Sequence, residues 1–495
     1  MREWVEHTAT RIQALSPRRI LEIGCGMGLF LARLAPAADV YVGTDISRVA
    51  IEHCERLREQ LRAERGRAHV TLLHQAAHEL GGLDEGERFD TIVLNSVVQY
   101  FPSADYLSQV LEKVASLLAP GGHIFIGDVR NLRLLEAFHA SIEAERAVEG
   151  ASSVGPLLRA RTERRLADEK ELLLDPSFFA RVGESLGLTA CPVSLKRGTS
   201  KNELTRFRYD VVLHRPSGSL VPPVAAELVD ARTGGTSLEA IASILTSSQS
   251  DAVVFTGLGN ARIHADVERV RAMHGAPSVP RPRGIEPDDV WALGERLGYG
   301  VDVTWSDASD DEMDAIFVRS GGMVARTSSS PPSPRPYAND PRLGERRRDR
   351  ATALSLAVAS VLPEGMVPSS ITVVSSLPTT SSGKLDRAAL SAYAPFSMEA
   401  EERISPPQND TERKVVALFR ELLGVEARGR ESHFFRLGGH SLMAIRLVRK
   451  IRTAFAVDMT VREIFENPTI AELGGEIERR RGGPEEAGDR EEGEI

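Results

Sequence analysis

Between Met1 and about Ser217, short apolar strand patterns alternate with helix-length stretches, and this alternation restricts what the chain can fold into. RRILEI, VYVGTDI, HVTLLHQ, FDTIVLNSVV and HIFIGDV read as five strands and RFRYDVVL as a late one. Segments such as DYLSQVLEKVASLLA read as helices between them. Alternation of this kind predicts an α/β fold: a mostly parallel sheet with helices on both faces.

The remaining chain separates by composition. From about 218 to 325, strands (DAVVFTG, DAIFVR) mix again with helices (DDVWALGERLG), an α/β extension. RTSSSPPSPRP opens a small region, 326–395, and has the composition of a linker. A second linker spans 396–408, a compact helical unit 409–480, and an acidic, disordered tail 481–495. At 495 residues, three or four domains of ordinary size are expected. The net charge of −9 argues against nucleic acid as the main partner. The three cysteines show no metal-type or disulfide spacing, so a reducing cytoplasm and no metal are expected. MREWVEHTATRIQ lacks the apolar core of a signal peptide, and no apolar run reaches a membrane span.

LEIGCGMGLF, Leu21–Phe30, carries the strongest chemical signal. Gly24, Gly26 and Gly28 fall at a strand-to-helix turn, where glycine lets a ligand approach the backbone closely. Asp45 ends the next strand, in position to accept from ribose hydroxyls. A dinucleotide enzyme is the rival reading, and a glycine-rich turn without a ligand the plainest one. The GxGxG form, preceded by Glu22 and lacking the last helix glycine, resembles class I S-adenosylmethionine-dependent methyltransferases.

Longer motifs narrow the resemblance. NSVVQYFP (Asn95–Pro102), FIGDVRNLRLLEAFHAS (Phe125–Ser141), EKELLLDPSFF (Glu169–Phe179) and NELTRFRYDVVL (Asn202–Leu213) resemble N-methyltransferase domains embedded in nonribosomal peptide synthetases. GLGNARIHADVERVRAM, DDVWALGERLGYGVDVTWS and YANDP resemble that family's downstream extension. The resemblance implies a Rossmann-like class I fold. It also implies that S-adenosylmethionine is held by Glu22, Gly24, Cys25, Gly26, Gly28, Asp45, Ile46, Ala76, Asn95, Ser96 and Val97.

Transfer to an amine needs the nitrogen held about 3 Å from the methyl carbon, and a group to take its proton. Asp128, His139, Glu169 and Glu171 are the candidates, with Gln99 and Tyr100 lining the entry. Each has a plain structural alternative: a helix cap for Asp128, a satisfied core histidine for His139, surface ion pairs for the glutamates, loop packing for Gln99 and Tyr100. Trp4 lies on an N-terminal helix that either covers the cofactor or simply buries an aromatic.

FFRLGGHSLMAIRLV (Phe434–Val448) places Ser441 at a helix N-terminus, where free N–H groups and the helix dipole favour a phosphodiester. It resembles the peptidyl carrier motif, a four-helix domain, and Ser441 matches the serine that receives 4′-phosphopantetheine; an N-cap is the alternative. LPEGMVPSSITVVSSLPTTSSGKLDRAAL (Leu362–Leu390) resembles the last motifs of an adenylation domain, an α+β subdomain in which Lys384 matches the catalytic lysine. No phosphate loop precedes it, so Lys384 is expected to be idle here. The resemblance implies as partners the tethered aminoacyl thioester, a separate adenylation core, neighbouring synthetase modules and a phosphopantetheinyl transferase. Methylation on O, S or C of the tethered substrate, or a non-catalytic scaffold, remain alternatives.

Overall fold

A computed structural model of the chain describes residues 2–63, 68–83, 88–146, 156–190, 193–217, 225–234, 237–276, 284–319, 336–362, 405–423, 429–430, 432, 434 and 441–481, with isolated positions between 366 and 387. Two compact units result, 1–344 and 345–495.

The first unit is built on an eight-stranded sheet. Its strands are β1 (Arg19–Ile23), β2 (Val40–Asp45), β3 (His69–His74), β4 (Phe89–Asn95), β5 (Leu118–Arg130), β6 (Thr189–Ala190), β7 (Ser194–Leu195) and β8 (Arg208–His214). The order is β3-β2-β1-β4-β5-β8-β6, with β7 also on β8. β1 to β5 pair in parallel, and β8 runs antiparallel to β5. The reversal between β1–β2 and β1–β4 puts a crevice at the carboxyl ends of these strands, where ligands bind in such sheets. This is the Rossmann-like class I fold.

Local chemistry explains where the elements stop. The apolar run FDTIVLNSVV predicts a strand through Val98, but β4 ends at Asn95 because Ser96 is left-handed (φ 53°). Val98–Tyr100 then forms a single 3₁₀ turn. Asp128 does not end β5, as the sequence suggests. It sits inside the strand at a register shift, also left-handed at φ 65°. The helix Ala104–Leu117 starts at Ser103, whose hydroxyl accepts from the Tyr106 N–H.

Residues 226–318 add a four-stranded sheet, β11-β12-β10-β9, from β9 (Ala226–Asp230), β10 (Ala252–Gly259), β11 (Gly300–Trp305) and β12 (Glu312–Val318). The sequence patterns point to β10 and β12; β9 and β11 pair with them at the sheet edges. Buried side chains of this sheet and its helices, including Phe255, Trp291 and Met313, join the same apolar core as Ile92, Leu94 and Ile126 of the large sheet. Residues 336–344, which the sequence groups with the following subdomain, belong to this first unit. Asn339 anchors them by accepting from the Leu173 N–H (2.8 Å) and donating to the Glu171 carbonyl (2.8 Å).

In the second unit, the described helices Asp410–Leu423, Ser441–Phe455, Val461–Glu466 and Ile470–Arg481 enclose a core of Val415, Phe419, Phe434, Leu447, Ile451, Ile464, Leu473 and Ile477. Thr460 and Glu463 form a reciprocal capping box at the third helix. The segment 435–440, with its two glycines, lies outside the described residues, as do 424–428 and 482–495.

Candidate functional site

The glycine loop follows β1 and is fixed from below. The Gly24 and Cys25 N–H groups both donate to the Thr44 carbonyl (2.8 and 3.0 Å). All three loop glycines have positive φ. A Cβ on Gly24 would sit 2.7 Å from Val97 Cγ2, so the loop crosses too close to Val97 for any side chain. A Cβ on Gly26 would meet nothing within 4 Å. That open face is where a ligand can reach the backbone.

Asp45 accepts from the Gly26 N–H (2.8 Å) and the Ser47 N–H (2.7 Å) at the mouth of this opening. Next to it Ile46 is 75% exposed, an apolar surface suited to a flat ring. The Ala76 N–H is taken up by Glu79 (3.1 Å). Two expected cofactor residues face the other way. Glu22 is buried under the loop and accepts from the Tyr41 hydroxyl. Burial pushes its carboxyl up to about 7, with Tyr41 opposing and the Asp45 charge adding to the rise. Cys25 is packed in the core with Cys54, whose thiol donates to the Gly26 carbonyl (3.3 Å). Both brace the loop, because their side chains point into the apolar layer beneath it. The N-terminal helix Arg2–Gln13 packs over the same region through Trp4 against Phe30, ring centroids 6.2 Å apart.

The other half of the crevice, at the ends of β4, β5 and β8, is built from charged side chains. The Ser96 hydroxyl donates to Asp128 (2.5 Å), and Arg208 donates to the same carboxylate oxygen (2.9 Å). The Asp128 N–H donates to Asp210 (2.8 Å), which also accepts from Lys196 (2.8 Å) and Arg11 (2.5 Å). Asp128 is 2% exposed and Lys196 Nζ lies 3.7 Å from its second oxygen. Burial raises the Asp210 carboxyl, but Lys196 and Arg11 outweigh it and hold the group below the usual range. Arg130 pairs with both Glu169 and Glu171 (3.0 Å each). His139 Nε2 bonds Glu169 (3.1 Å). Burial raises Glu169, yet His139 and Arg130 win and bring it down to about 2. The charged Glu169 carboxylate accepts from His139 Nε2.

Four buried side-chain atoms of these residues have no hydrogen-bond partner, Asn95 Oδ1, Gln99 Oε1, Asp128 Oδ1 and His139 Nδ1, although Lys196 Nζ lies 3.7 Å from Asp128 Oδ1. Buried polar atoms are normally satisfied, so these residues are candidates for contact with a ligand. Gln99 itself is held by donating to the Ser96 carbonyl (3.0 Å). Tyr100 is 72% exposed and stands at the lip, outside this cluster. Arg130, Lys196, Arg208, Asp210 and Arg11 are the residues sequence reasoning missed. Arg208 and Asp210 lie inside NELTRFRYDVVL, and the burial of charged residues on an apolar strand was the available signal.

Elsewhere, His264, Glu268 and Asp311 bring metal-type donor atoms within 4.8 Å of one another, but Arg271 already bridges Glu268 (2.5 Å) and Asp311 (2.7 Å). Lys384 is exposed. The backbone of Ser441 opens the helix Ser441–Phe455; its side chain lies outside the described residues. No helix among the described residues is long and apolar enough to cross a membrane.

Two regions match known families: residues 21–124 a methyltransferase domain, and residues 413–477 a phosphopantetheine attachment site. The chain therefore contains a methyltransferase region and a carrier region, whose cofactors are S-adenosylmethionine and 4′-phosphopantetheine respectively. It is similar over almost its whole length to segments of nonribosomal peptide synthetases. It is 36% identical to the chondramide synthase of Chondromyces crocatus over 96% of this chain and 12% of the synthase. It is 30% identical to the nonribosomal peptide synthetase asqK of Emericella nidulans over 96% of this chain and 19% of that protein. The chain thus spans a small part of these relatives. Among solved structures it is similar to magnesium protoporphyrin IX methyltransferase from Synechocystis with bound SAH (15% identity, 43% of this chain, 81% of that one, TM-score 0.31).

Proposed function

We propose that the chain methylates the α-amine of an aminoacyl thioester carried on the phosphopantetheine arm of Ser441. The observation that supports this reading is the set of buried atoms without a hydrogen-bond partner on Asn95, Gln99, Asp128 and His139, contributed by β4, the turn after it, β5 and the helix Leu135–Arg146. An amine brings N–H donors to them; a substrate offering only acceptors would leave them unsatisfied.

S-adenosylmethionine supplies an electrophilic methyl group on a sulfonium. The residues proposed to hold it are Gly24 and Gly26 by backbone approach, Asp45 at the ribose, Ile46 against the ring, and Asn95 through its free Oδ1. Ser96, Val97, Gly28 and Ala76 shape the pocket. In the acceptor half, Gln99 orients the amine through its free Oε1 and Asp128 through the carboxylate that Lys196 approaches at 3.7 Å. His139 Nδ1 would take the proton lost by the amine as its nitrogen bonds the methyl carbon and the methyl–sulfur bond breaks to leave a thioether, with Glu169 stabilising the imidazolium. Glu171 and Arg130 keep Glu169 in place, and Tyr100 lines the approach. The amine is delivered by the carrier, so activation of the amino acid falls to a separate adenylation core and arm attachment to a phosphopantetheinyl transferase. Lys384 is idle in this scheme.

The test loads Ser441 with aminoacyl-phosphopantetheine, adds S-adenosylmethionine and locates the new methyl by tandem mass spectrometry. A methyl on the α-nitrogen is expected, and Ser441→Ala should abolish it while leaving cofactor binding intact. No gain in mass sinks the reading, and a methyl on side-chain oxygen, sulfur or carbon replaces the acceptor.

A further inference from the structure

The segment Lys196–Thr205 lies between the glycine-loop side of the crevice and the four-stranded extension. From one side, Glu3 of the N-terminal helix accepts from the Thr199 N–H (2.8 Å) and the Ser200 hydroxyl (2.8 Å). From the other, the Gly198 N–H donates to Asp288 (3.2 Å), and Arg197 pairs with Glu295 (2.8 Å). At the centre is Arg262, from the loop after β10. It is buried, and its guanidinium donates to the carbonyls of Lys196 (2.7 Å), Thr205 (3.3 Å) and Gly198 (3.3 Å) and to Asp288 (2.6 Å). One planar fork thus ties both ends of the segment to the extension.

The segment matters because it carries Lys196. Asp128 and Asp210 lie against each other, joined by the Asp128 N–H, and Lys196 is the cation they share. Arg208 and Arg11 approach from the outer sides of Asp128 and Asp210 respectively. Asp128 and its partner Ser96 are both held in left-handed backbone conformations, which persist only when neighbours over-determine them. A shift of Lys196 would leave two buried carboxylates abutting at the point where the acceptor must be oriented.

We propose that Arg262 is a positioning residue for methyl transfer: from the extension, it sets Lys196 between Asp128 and Asp210 and thereby fixes the acceptor half of the crevice. This rests on the methyltransferase reading above. It gives the extension a part in the chemistry without contact to substrate or cofactor.

The test compares Arg262→Gln, Arg262→Lys and Arg271→Gln in the full chain with a loaded carrier. Arg271 serves as control because it ties Glu268 to Asp311 within the extension alone. Arg262→Gln should lower kcat about 10- to 100-fold while leaving KM for S-adenosylmethionine within about twofold, and Arg262→Lys should recover part of the loss. Arg271→Gln should lower thermal stability and spare kcat. Hydrogen exchange across 196–205 should rise in Arg262→Gln and stay unchanged in Arg271→Gln. If Arg262→Gln does not fold, Arg262→Lys against Arg271→Gln makes the same comparison. Equal kcat in the Arg262 and Arg271 variants, or unchanged exchange across 196–205, overturns the proposal. A wild-type chain that methylates nothing overturns the functional reading instead, and the exchange measurement still decides whether Arg262 holds the segment.

Discussion

The two halves of the crevice are made differently. The half at β1 and β2 is mostly backbone: three left-handed glycines, two N–H groups spent on Thr44, and an exposed isoleucine. The half at β4, β5 and β8 is mostly charge, with Asp128, Asp210, Lys196, Arg208 and Arg11 in one network and Arg130, Glu169, Glu171 and His139 in another. A cofactor of fixed shape is met by close approach of the chain. On the proposed reading, an acceptor whose proton must move is met by groups that hold charge in place. Binding and turnover should therefore fail separately.

The largest expected effect is on the backbone half. Gly24→Ala forces a side chain at φ +77° into Val97, and should weaken S-adenosylmethionine binding by calorimetry by about 100-fold or more. Binding that survives within a few-fold would mean the loop is not the cofactor's cradle. Asp128→Asn should do the reverse. It should cut kcat by about 10²- to 10³-fold with cofactor affinity nearly unchanged. A matching loss of affinity would merge the two halves into one site.

The smallest effect concerns the brace beneath the loop. Glu22 has its carboxyl raised from 4.5 to about 7, so the folded state favours the protonated form. Between those pH values the folded chain holds a proton that the unfolded chain has released, and stability falls as pH rises through the window. Above it, the penalty is on the order of 3 kcal/mol. Glu22→Gln should match wild type in thermal unfolding at pH 5 and exceed it at pH 8. A Glu22→Gln chain with the same pH slope as wild type would show that Glu22 carries no such proton.

The same contrast explains what could be read from the chain. The backbone half is one contiguous motif plus Asp45 about twenty residues on, so its pattern survives in one dimension. Even there, the inward aim of Glu22 and Cys25 depends on the apolar layer below, which the motif does not record. The charged half draws on Arg11, Ser96, Asp128, Arg130, Lys196 and Arg208, spread over nearly two hundred residues. Their sequence neighbours give no hint that they meet. The strands β6 and β7 are only two residues long and exist because β8 offers them an edge. The left-handed turn at Ser96 looks in sequence like a continuing strand, because Val97 and Val98 follow it. The helices were the easiest to read, since Ala104–Leu117 and Pro287–Leu297 each announce themselves by period and by the Ser or Pro at their start.

The shared core of the two sheets has a practical consequence for anyone recombining tailoring units between synthetases. A graft cut at 217, where the first run of strands ends, would strip Phe255, Trp291 and Met313 from the layer that also contains Ile92 and Leu94, and would remove Arg262 from Lys196. Such a chimera would keep the glycine loop, NSVVQYFP and the other motifs up to Leu213, and still expose the apolar flank that the extension covers. The transplantable piece ends beyond 344, after Asn339 has closed on Glu171 and Leu173.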